Sequence, residues 1–512
     1  DPETLKLFQE GNTGAVFQFE SEGMRDQLRK AKPDCLEDLV ALNALYRPGP
    51  MDQIPHFIDR KFGREEVEYL DQRMEPILRE TYGIMVYQEQ VMLVARAIGG
   101  YSLGGADLLR RAMGKKNVEE MKRQRAVFIK GAAERNVDEK TATDIFNLME
   151  KFAGYGFNKS HAAAYSFVAW QTAYLKVHHP GPFFAGNLCL VMDQGEKMSV
   201  LINDAKECGV TFLPPDVNVS DWFFTVPDEH TIRMGMGSIK GMSQNIVEDI
   251  LEERSINGMF LDIFDLAARV PTVNRKVLEQ LVRSGALDSL DSNRGKNFAN
   301  IHQALQAAQT VKASVGQVSL FADENGEAER IVSWVQAPAW NEKQRLQGEI
   351  DAFGFCFTGN LFDYYRTELS AFTTPLSNVR DNRQAMTMAG MVLNARIIQG
   401  KRGRFAVVMI EDGKSAMDVL IYSEELLSRY RLALKAGEVI AFVGRGRFDE
   451  MRQKMSFLAD EVMTLEDIRV RRGAVLKVSI STEEQLEEAM KLLTKNKTRE
   501  GKGVPCFVDI GS

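Results

Sequence analysis

Two pairs of cations lie close together in a glycine-flanked stretch of the chain. Arg110 and Arg111 follow a Gly-Gly pair, and Lys115 and Lys116 follow Gly114. On a helix Arg111 and Lys115 would share a face, because they are four residues apart. Glycine permits close approach of a backbone to a ligand, and guanidinium groups suit the roughly four negative charges of a triphosphate. The stretch therefore predicts a triphosphate-binding site.

A second segment, Gly-Tyr-Gly-Phe-Asn-Lys-Ser-His, opens a predicted helix at residues 154–161. Ser160 is expected to cap this helix, which places His161 at its positive end. Asn158 and His161 could bond a sugar or phosphate, and Tyr155 could stack on a base. The alternative is that the histidine only caps the helix.

Arg47 stands in a rigid Tyr-Arg-Pro-Gly-Pro turn that otherwise suggests only a surface loop. Together with the two segments above, this turn closely resembles the fingers domain of the alpha subunits of bacterial DNA polymerase III. The resemblance implies nine nucleotide-binding residues: Arg47, Arg110, Arg111, Lys115, Lys116, Tyr155, Asn158, Lys159 and His161.

Composition bounds the class of protein. A chain of 512 residues predicts three to four domains, and a net charge of −7 excludes a surface coated in positive charge. The five cysteines are scattered without a CxxC pair, so we expect no disulfide framework, no metal site and a reducing, cytoplasmic location. No apolar run reaches membrane-spanning length, and we expect no membrane contact. The chain opens on Asp1-Pro2 in mid-pattern, and we expect the downstream part of a longer polypeptide.

Helical periodicity dominates residues 1–190, the predicted fingers. Three stripes at helical spacing are expected to face the core. They are Val91, Val94, Ala95 and Ile98; Ile145, Leu148, Met149 and Phe152; and Phe167, Trp170, Tyr174 and Val177.

Residues 191–305 read as short helices with two segments that resemble helix-hairpin-helix elements, in a region also expected to bind the clamp. The first includes Lys240 and Gly241, and the second includes Ser284 and Gly285. Such hairpins present backbone N–H groups to DNA phosphates. A plain helical turn is the alternative for each.

Residues 306–345 are rich in Ala, Gln, Ser and Glu, which predicts a linker. Gln317, Leu320 and Phe321 form a Gln-x-x-Leu-Phe pattern at 317–321 that resembles the short peptide with which bacterial polymerases bind the sliding clamp. An apolar pair in a polar linker can insert into a partner's pocket.

Residues 346–467 are expected to form an OB-fold with a preceding helix, because five strands follow one another with a helix after the third. The strands are predicted at 387–398, 405–411, 416–421, 439–448 and 454–459. Basic and aromatic residues suited to single-stranded DNA cluster near the strand ends: Arg396, Lys401, Arg402, Arg404, Phe405 and Arg447. A protein-binding barrel is the alternative. Residues 468–512 predict a strand–helix–strand start of a C-terminal domain.

The fold class is thus multidomain, with helical fingers and hairpins, then an all-β OB-fold barrel and a small α/β segment. The resemblance implies a DNA-directed DNA polymerase acting on template-primer DNA and deoxynucleoside triphosphates, with a sliding clamp, a clamp-loader tau subunit and a proofreading exonuclease subunit as partners. The catalytic aspartates that hold Mg²⁺ in this family form an Asp-x-Asp pattern on palm strands, and this chain has none. The chain alone is therefore expected to be inactive. A non-enzymatic DNA-binding, clamp-tethering module and an error-prone translesion paralogue are the alternatives.

Overall fold

The computed structural model describes residues 1–114, 118–153, 156–314, 334–400, 403–413, 415–435, 437–449, 454–471, 476–480, 482–495 and 506–510. They form two compact units. The first comprises Asp1–Asn187 and Glu207–Gly209, and the second comprises Leu188–Lys206 and Val210–Ser512. Helices fill the first unit and a five-stranded barrel lies in the second, which confirms the predicted fold class.

The first unit is built from helices joined by short turns. They are α1 Pro2–Glu10, α2 Glu22–Ala31, α3 Leu36–Leu45, α4 Ile54–Lys61, α5 Glu75–Leu78, α6 Gln88–Gly99, α7 Leu103–Gly114, α8 Val118–Ala133, α9 Glu139–Ala153, α10 Lys159–His178 and α11 Pro180–Cys189, the last reaching into the second unit. Short 3-10 turns lie at Pro50–Gln53, Gln72–Met74 and Arg79–Thr81.

Two apolar cores hold this unit together. The first collects side chains of α1 to α4 and α10, and the second collects side chains of α5 to α9. The first two predicted stripes belong to the second core, except that Leu148 is 37% exposed. Glycine lets α6 and α8 cross closely, since a Cβ on Gly131 would stand 2.0 Å from the carbonyl oxygen of Gly99.

The predicted core stripe of α10 is half right, because Trp170 and Val177 pack against the first core but Phe167 and Tyr174 do not. Phe167 is 53% exposed and Tyr174 is 42% exposed, whereas the buried face carries Ala162, Ala169 and Ala173. These small side chains let α10 lie close against α3, so Phe167 and Tyr174 fall on other faces. The small side-chain volume needed where α10 meets α3 determines which face of α10 is buried, and hydrophobic periodicity does not report that volume.

The second unit begins with small elements and continues into a barrel. Its helices are α12 Gly195–Glu207, α13 Gln244–Asn257, α14 Ile263–Arg269, α15 Arg275–Ser284, α16 Arg294–Ala299, α17 Ile301–Ser314, α18 Glu342–Phe353, α19 Asp363–Ser370, α20 Glu424–Tyr430, α21 Leu465–Arg471 and α22 Glu483–Lys495. Its strands are β1 Thr211–Leu213, β2 Thr225–Asp228, β3 Thr231–Arg233, β4 Met386–Gly400, β5 Gly403–Glu411, β6 Ala416–Ile421, β7 Val439–Asp449, β8 Lys454–Thr464, β9 Leu476–Ile480 and β10 Cys506–Ile510. The 3-10 turns are Met236–Ser238 and Leu376–Asn378.

The barrel closes in the order β4-β5-β6-β8-β7, with β7 returning to β4. All neighbours are antiparallel except β6 and β8. Inward side chains such as Val408, Val419, Phe442 and Phe457 are fully buried. The strand number and the helix α20 between β6 and β7 are as predicted, although β8 runs five residues longer. Strands β9 and β10 pair in parallel across α22, as the strand–helix–strand pattern predicted.

The predicted linker is ordered at both described ends. Its first nine residues continue α17, and Asn300 bonds Val335 through both its amide nitrogen (2.8 Å) and its amide oxygen (2.9 Å). Trp334 packs on Phe264 at 4.9 Å between ring centroids. Tertiary contacts that composition does not encode hold Trp334 and Val335 in place. The clamp peptide residues Gln317, Leu320 and Phe321 lie outside the described residues.

No helix within the described ranges is both long enough and apolar enough to span a membrane.

Glu411, at the end of β5, is a buried carboxyl in the second unit. Burial raises its pKa to about 7, and nearby Asp412 and Asp363 add to the rise, while a hydrogen bond from Asn360 Nδ2 (3.3 Å) opposes it. Because this pKa exceeds the ordinary 4.5, folding is more favourable when the Glu411 carboxyl is protonated than when it is ionised. The contribution of Glu411 to barrel stability is therefore fully present below about pH 4.5 and is lost as pH rises through 7.

We expect Glu411→Gln to stabilise the barrel by roughly 2 kcal/mol at pH 8 and to change little at pH 5, because the amide carries no ionisation cost. Hydrogen exchange of β5 amides at the two pH values measures this. Glu438→Gln, which removes an exposed carboxylate near β7, is the matched control. An equal effect of Glu411→Gln at both pH values would contradict the assignment.

Candidate nucleotide-binding site

The starts of α6 and α10 are joined by a short parallel bridge. The N–H of Gln88 donates to the carbonyl of Phe157 at 2.9 Å, and the N–H of Phe157 donates to the carbonyl of Val86 at 3.2 Å. The side chain of Gln88 adds a bond from Nε2 to the carbonyl of Gly156 at 2.9 Å. The bridge therefore places the predicted segment at 154–161 next to the start of α6, about seventy residues earlier in sequence.

The carboxylate of Glu89 lies between the two helix starts. Its Oε1 accepts from Asn158 Nδ2 and its Oε2 accepts from the backbone N–H of Lys159, both at 2.9 Å. The carboxylate thereby satisfies a first-turn amide of α10 and lies at the positive end of that helix. The protein itself supplies an anion where the sequence predicted a bound phosphate or sugar.

Asn158, not Ser160, caps α10. Its Oδ1 accepts from the N–H of His161 at 2.8 Å, and the helix begins at Lys159. The predicted cap at Ser160 is wrong, because the preceding asparagine already reaches the third helical amide and its own amide is fixed by Glu89. The ring of His161 remains exposed at the helix start.

Arg110 is held by two partners. Its Nη1 donates to Gln88 Oε1 at 3.0 Å, and its Nε and Nη2 donate to Asp107 Oδ1 at 3.0 and 2.8 Å. A guanidinium has five N–H donors, so two remain without a partner among the described residues. Arg111 pairs with the other oxygen of Asp107 at 2.8 Å while its side chain is 64% exposed. One carboxylate thus orients both arginines of the predicted pair.

These contacts lower the pKa of Asp107. The hydrogen bond from Arg110 is the largest favourable cause, and the charges of Arg111 and Arg110 add to it. The carboxylate is therefore ionised at neutral pH. An arriving phosphate would compete with Asp107 for the same guanidinium donors.

Two further predicted cations lie at this place. Lys159 Nζ contacts both oxygens of Glu80 at 2.7 and 2.8 Å and lies 5.4 Å from the centre of the Tyr87 ring. The Arg47 guanidinium lies 4.2 Å from the centre of the Phe157 ring, and burial lowers its pKa. Through the bridge, residues of three sequence segments meet in one cluster, which we call the cationic cluster: Arg47, Arg110, Arg111 and Lys159.

Of the predicted nucleotide-binding residues, Lys115, Lys116 and Tyr155 lie outside the described residues. The sequence assigned no role to Gln88, Glu89 or Asp107, which orient the cluster. Their partners lie up to seventy residues away, so no local pattern announces them.

The acidic residues at the cluster do not suit a metal. Asp107, Glu80 and Glu89 are each paired with a cation or an amide. Elsewhere Asp34 and Asp38 lie near Cys35, but the Lys61 ammonium bonds Asp38 at 2.5 Å and approaches Asp34 at 3.5 Å. These carboxylates serve an ion pair within the fold.

The first predicted hairpin leaves its helix start open. Gly241 has a φ of 78° and precedes α13, whose N-cap Ser243 makes no side-chain cap bond. Lys276 lies beside this turn, since a Cβ on Gly241 would stand 3.8 Å from its Nζ. Lys240 turns away and donates from Nζ to the carbonyl of Ile350 at 3.3 Å. The open amides and Lys276 make this turn suited to a phosphate.

The second hairpin does not present the groups predicted for it. Ser284 is fully buried and its hydroxyl donates to the carbonyl of Leu281 at 3.0 Å. The N–H of Gly285 donates to carbonyls of Leu281 and Val282 as the C-cap of α15. The prediction that Ser284 and Gly285 contact DNA is therefore corrected. The Ser284 hydroxyl and the Gly285 N–H already donate to carbonyls at the end of α15.

The barrel carries its basic residues on outward positions. Arg396, Arg404 and Arg447 are exposed, and Arg404 Nε approaches Glu424 Oε1 at 3.4 Å. Phe405 stacks on Tyr422 with centroids 5.2 Å apart. Lys401 and Arg402 lie outside the described residues.

Comparison with known proteins agrees with these features. A sequence model of the bacterial DNA polymerase III alpha subunit finger domain matches residues 1–136, and one of the helix-hairpin-helix motif matches residues 209–297. The DNA polymerase III subunit alpha of Vibrio cholerae is 42% identical over 496 residues, covering 94% of this chain and 43% of that protein. Those of Neisseria meningitidis and Escherichia coli K12 are 39% identical over 99% and 96% of this chain and 44% of each protein.

The chain is a relative of the bacterial DNA polymerase III alpha subunits. It spans less than half the length of the curated alpha subunits it matches. The finger-domain match includes Arg47, Arg110 and Arg111, and the hairpin match includes both hairpin turns of the second unit. The likeness to alpha subunits extends over the barrel as well.

Glu89→Gln should loosen the start of α10, because the NH2 end of the new amide is a donor and would face another donor, either Asn158 Nδ2 or the Lys159 N–H. Hydrogen bonds to a charged acceptor contribute roughly 1.5–3 kcal/mol, so the Lys159 amide should exchange at least about tenfold faster. Glu80→Gln is the matched control, since among the described residues Glu80 bonds the Lys159 ammonium and no amide of α10, and exposed ion pairs contribute roughly 0–1 kcal/mol. Equal exchange rates in the two variants would contradict the role given to Glu89.

Proposed function

We propose that this chain is the nucleotide-, DNA- and clamp-positioning part of a replicative DNA polymerase III alpha subunit. The whole protein would add deoxynucleotides to a primer 3′ end under template direction. The carrying observation is the cationic cluster, assembled from separate segments within a chain that is about 40% identical to alpha subunits over almost its whole length.

The cationic cluster would hold the triphosphate of the incoming nucleotide. Arg111 is the most exposed of its arginines, and Arg110 keeps two donors for a phosphate oxygen. Asp107 holds both guanidinium groups in place before the ligand arrives, which reduces the ordering cost of binding. Lys115, Lys116, Tyr155 and His161 are proposed to complete the site, as the family resemblance implies.

The Mg²⁺ expected for nucleotidyl transfer does not fit the acidic residues described here, all of which are already paired at the cluster. We assign it to palm residues outside this chain, and the chain alone should not extend a primer. Its own residues bind and orient substrate.

DNA would contact two places in the second unit. The start of α13 with Lys276 suits a backbone phosphate of template-primer DNA, and Lys240 and Gly241 form its turn. The exposed basic residues of the barrel, an OB-fold in our assignment, suit single-stranded DNA: Arg396, Lys401, Arg402, Arg404, Phe405 and Arg447. The sliding clamp, the tau subunit, the exonuclease subunit and a cytoplasmic location belong to the same proposal.

Arg110→Ala and Arg111→Ala should each weaken binding of a deoxynucleoside triphosphate to the 512-residue chain by about ten- to a hundredfold. Each loses charge-assisted bonds that contribute roughly 1.5–3 kcal/mol. Titration calorimetry measures the affinities. Arg123→Ala is the matched control, because Arg123 lies on α8 in the same basic stretch and its side chain is 72% exposed. Unchanged affinity in both arginine variants would remove the triphosphate assignment.

The clamp peptide gives a second local test. Leu320→Ala combined with Phe321→Ala should abolish measurable binding of the chain to the cognate sliding clamp, because truncating a buried aromatic anchor costs at least about 2 kcal/mol. Gln317→Ala should weaken binding less. Surface plasmon resonance with immobilised clamp decides it, and DNA affinity should stay unchanged. Equal clamp affinities of the double variant and the wild type would mean that the five-residue pattern has no role in binding.

A further inference from the structure

A row of aromatic rings runs from the cationic cluster along α10. The Phe157 ring lies 5.4 Å from His161, His161 lies 4.1 Å from Tyr165, and Tyr165 lies 5.1 Å from Phe17, all between ring centroids. The three interplanar angles are 55°, 47° and 44°. No ring lies flat on its neighbour, so these contacts do not cover whole ring faces. We call Phe17, Tyr165 and His161 the aromatic strip.

The strip is open to solvent although apolar rings favour burial. His161 and Phe17 are exposed and Tyr165 is partly exposed. The neighbours of Phe17 in sequence behave differently, since Val16 and Phe19 are fully buried in the first core. The loop thus exposes Phe17, while the buried side chains of Val16 and Phe19 on either side of it anchor the loop in the core.

The loop that carries Phe17 is held in an unfavourable backbone conformation. Ala15 has a φ of 58° and Gln18 a φ of 66°, values that L-residues rarely adopt. Backbone strain of this kind persists only where the surroundings impose it, and it concentrates at ligand-binding places. The two strained residues flank the exposed ring, which connects the strain to the display of Phe17.

Buried polar contacts impose that conformation. Lys176 of α10 is 1% exposed, and its Nζ donates to the carbonyls of Asn12 and Gly14, both at 2.9 Å. The hydroxyl of Thr13, also buried, donates to the carbonyl of Phe19 at 2.7 Å. Phe17 is further tied to α10 by its N–H, which donates to Thr172 Oγ1 at 3.3 Å. The ring is therefore fixed against the helix rather than mobile on a loop.

We propose that the aromatic strip stacks an unpaired nucleobase. The proposal rests on the proposed function, since the strip begins where Arg47 covers Phe157 and the other cations lie close by. A nucleotide joins a negative phosphate to a flat aromatic base, and the site joins a cationic cluster to flat rings in the same way. Stacking on aromatic side chains tolerates every base, because each base has a π-face.

The base can come from two sources with the same chemistry: a nucleoside triphosphate bound at the cationic cluster, or an unpaired base of single-stranded DNA. Two probes separate them. The first is the triphosphate of 2-aminopurine deoxyriboside, and the second is a single-stranded oligonucleotide with one 2-aminopurine. Fluorescence of 2-aminopurine falls when the base stacks, so each titration reports both affinity and stacking.

The variants are Phe17→Leu and Tyr165→Leu, which keep apolar bulk but remove the ring. We expect each to weaken binding of at least one probe about five- to a hundredfold and to reduce its quenching. Tyr165→Phe should bind as the wild type does, because it keeps the ring. Phe167→Leu is the matched control, since Phe167 lies on the same helix, is 53% exposed and is outside the strip.

The outcomes separate this proposal from the proposed function. Loss with the oligonucleotide alone assigns the strip to a DNA strand, and loss with the triphosphate assigns it to the incoming base. If Phe17→Leu and Tyr165→Leu bind and quench both probes as the wild type does, the proposal that the aromatic strip stacks a base is overturned. Arg110→Ala could still abolish triphosphate binding in that case, and the proposed function would stand. Failure of the wild-type chain to bind either probe would overturn both.

Discussion

The candidate site depends on the short parallel bridge between Val86–Gln88 and Phe157. Two backbone hydrogen bonds bring the first turn of α6 against the first turn of α10, and Glu89 then bonds across the two. The bridge also joins the two cores of the first unit, since Tyr87 belongs to one and Val91 to the other. Without the bridge, the elements that carry these cations would not be held next to one another.

Charge within the site is arranged so that side chains are held before a ligand binds. Asp107 orients two arginines, Glu80 holds Lys159, and Glu89 takes the positive end of α10. A helix start alone would attract an anion, but here the protein carboxylate occupies that role. In the proposed function, recognition of a triphosphate would therefore fall to guanidinium groups, which offer donors in a fixed fork, and not to the helix amides.

Local patterns predicted much of this architecture. Alternation and turn residues placed all five barrel strands and α20, because one side of each strand is buried and the other is wet. Arg110 and Arg111 lie together on α7 and share the carboxylate of Asp107, and their role in triphosphate binding stays a prediction. What failed were choices set by contact at a distance: Ala162 and Ala169 displaced Phe167 from the core, Glu89 moved the cap of α10 to Asn158, and Asn300 ordered the end of the predicted linker. Such pairings depend on residues far apart in sequence, and periodicity cannot report them.

The central claim is that separate segments, joined by the bridge at Phe157, form one phosphate-binding place. A crystal structure of the 512-residue chain grown with a deoxynucleoside triphosphate tests it most directly. We expect phosphate oxygens within hydrogen-bond distance of Arg110 and Arg111, with Asp107 still beside them and the Glu89 bond to Lys159 intact. A triphosphate bound elsewhere on the chain, with the cationic cluster untouched, would contradict it.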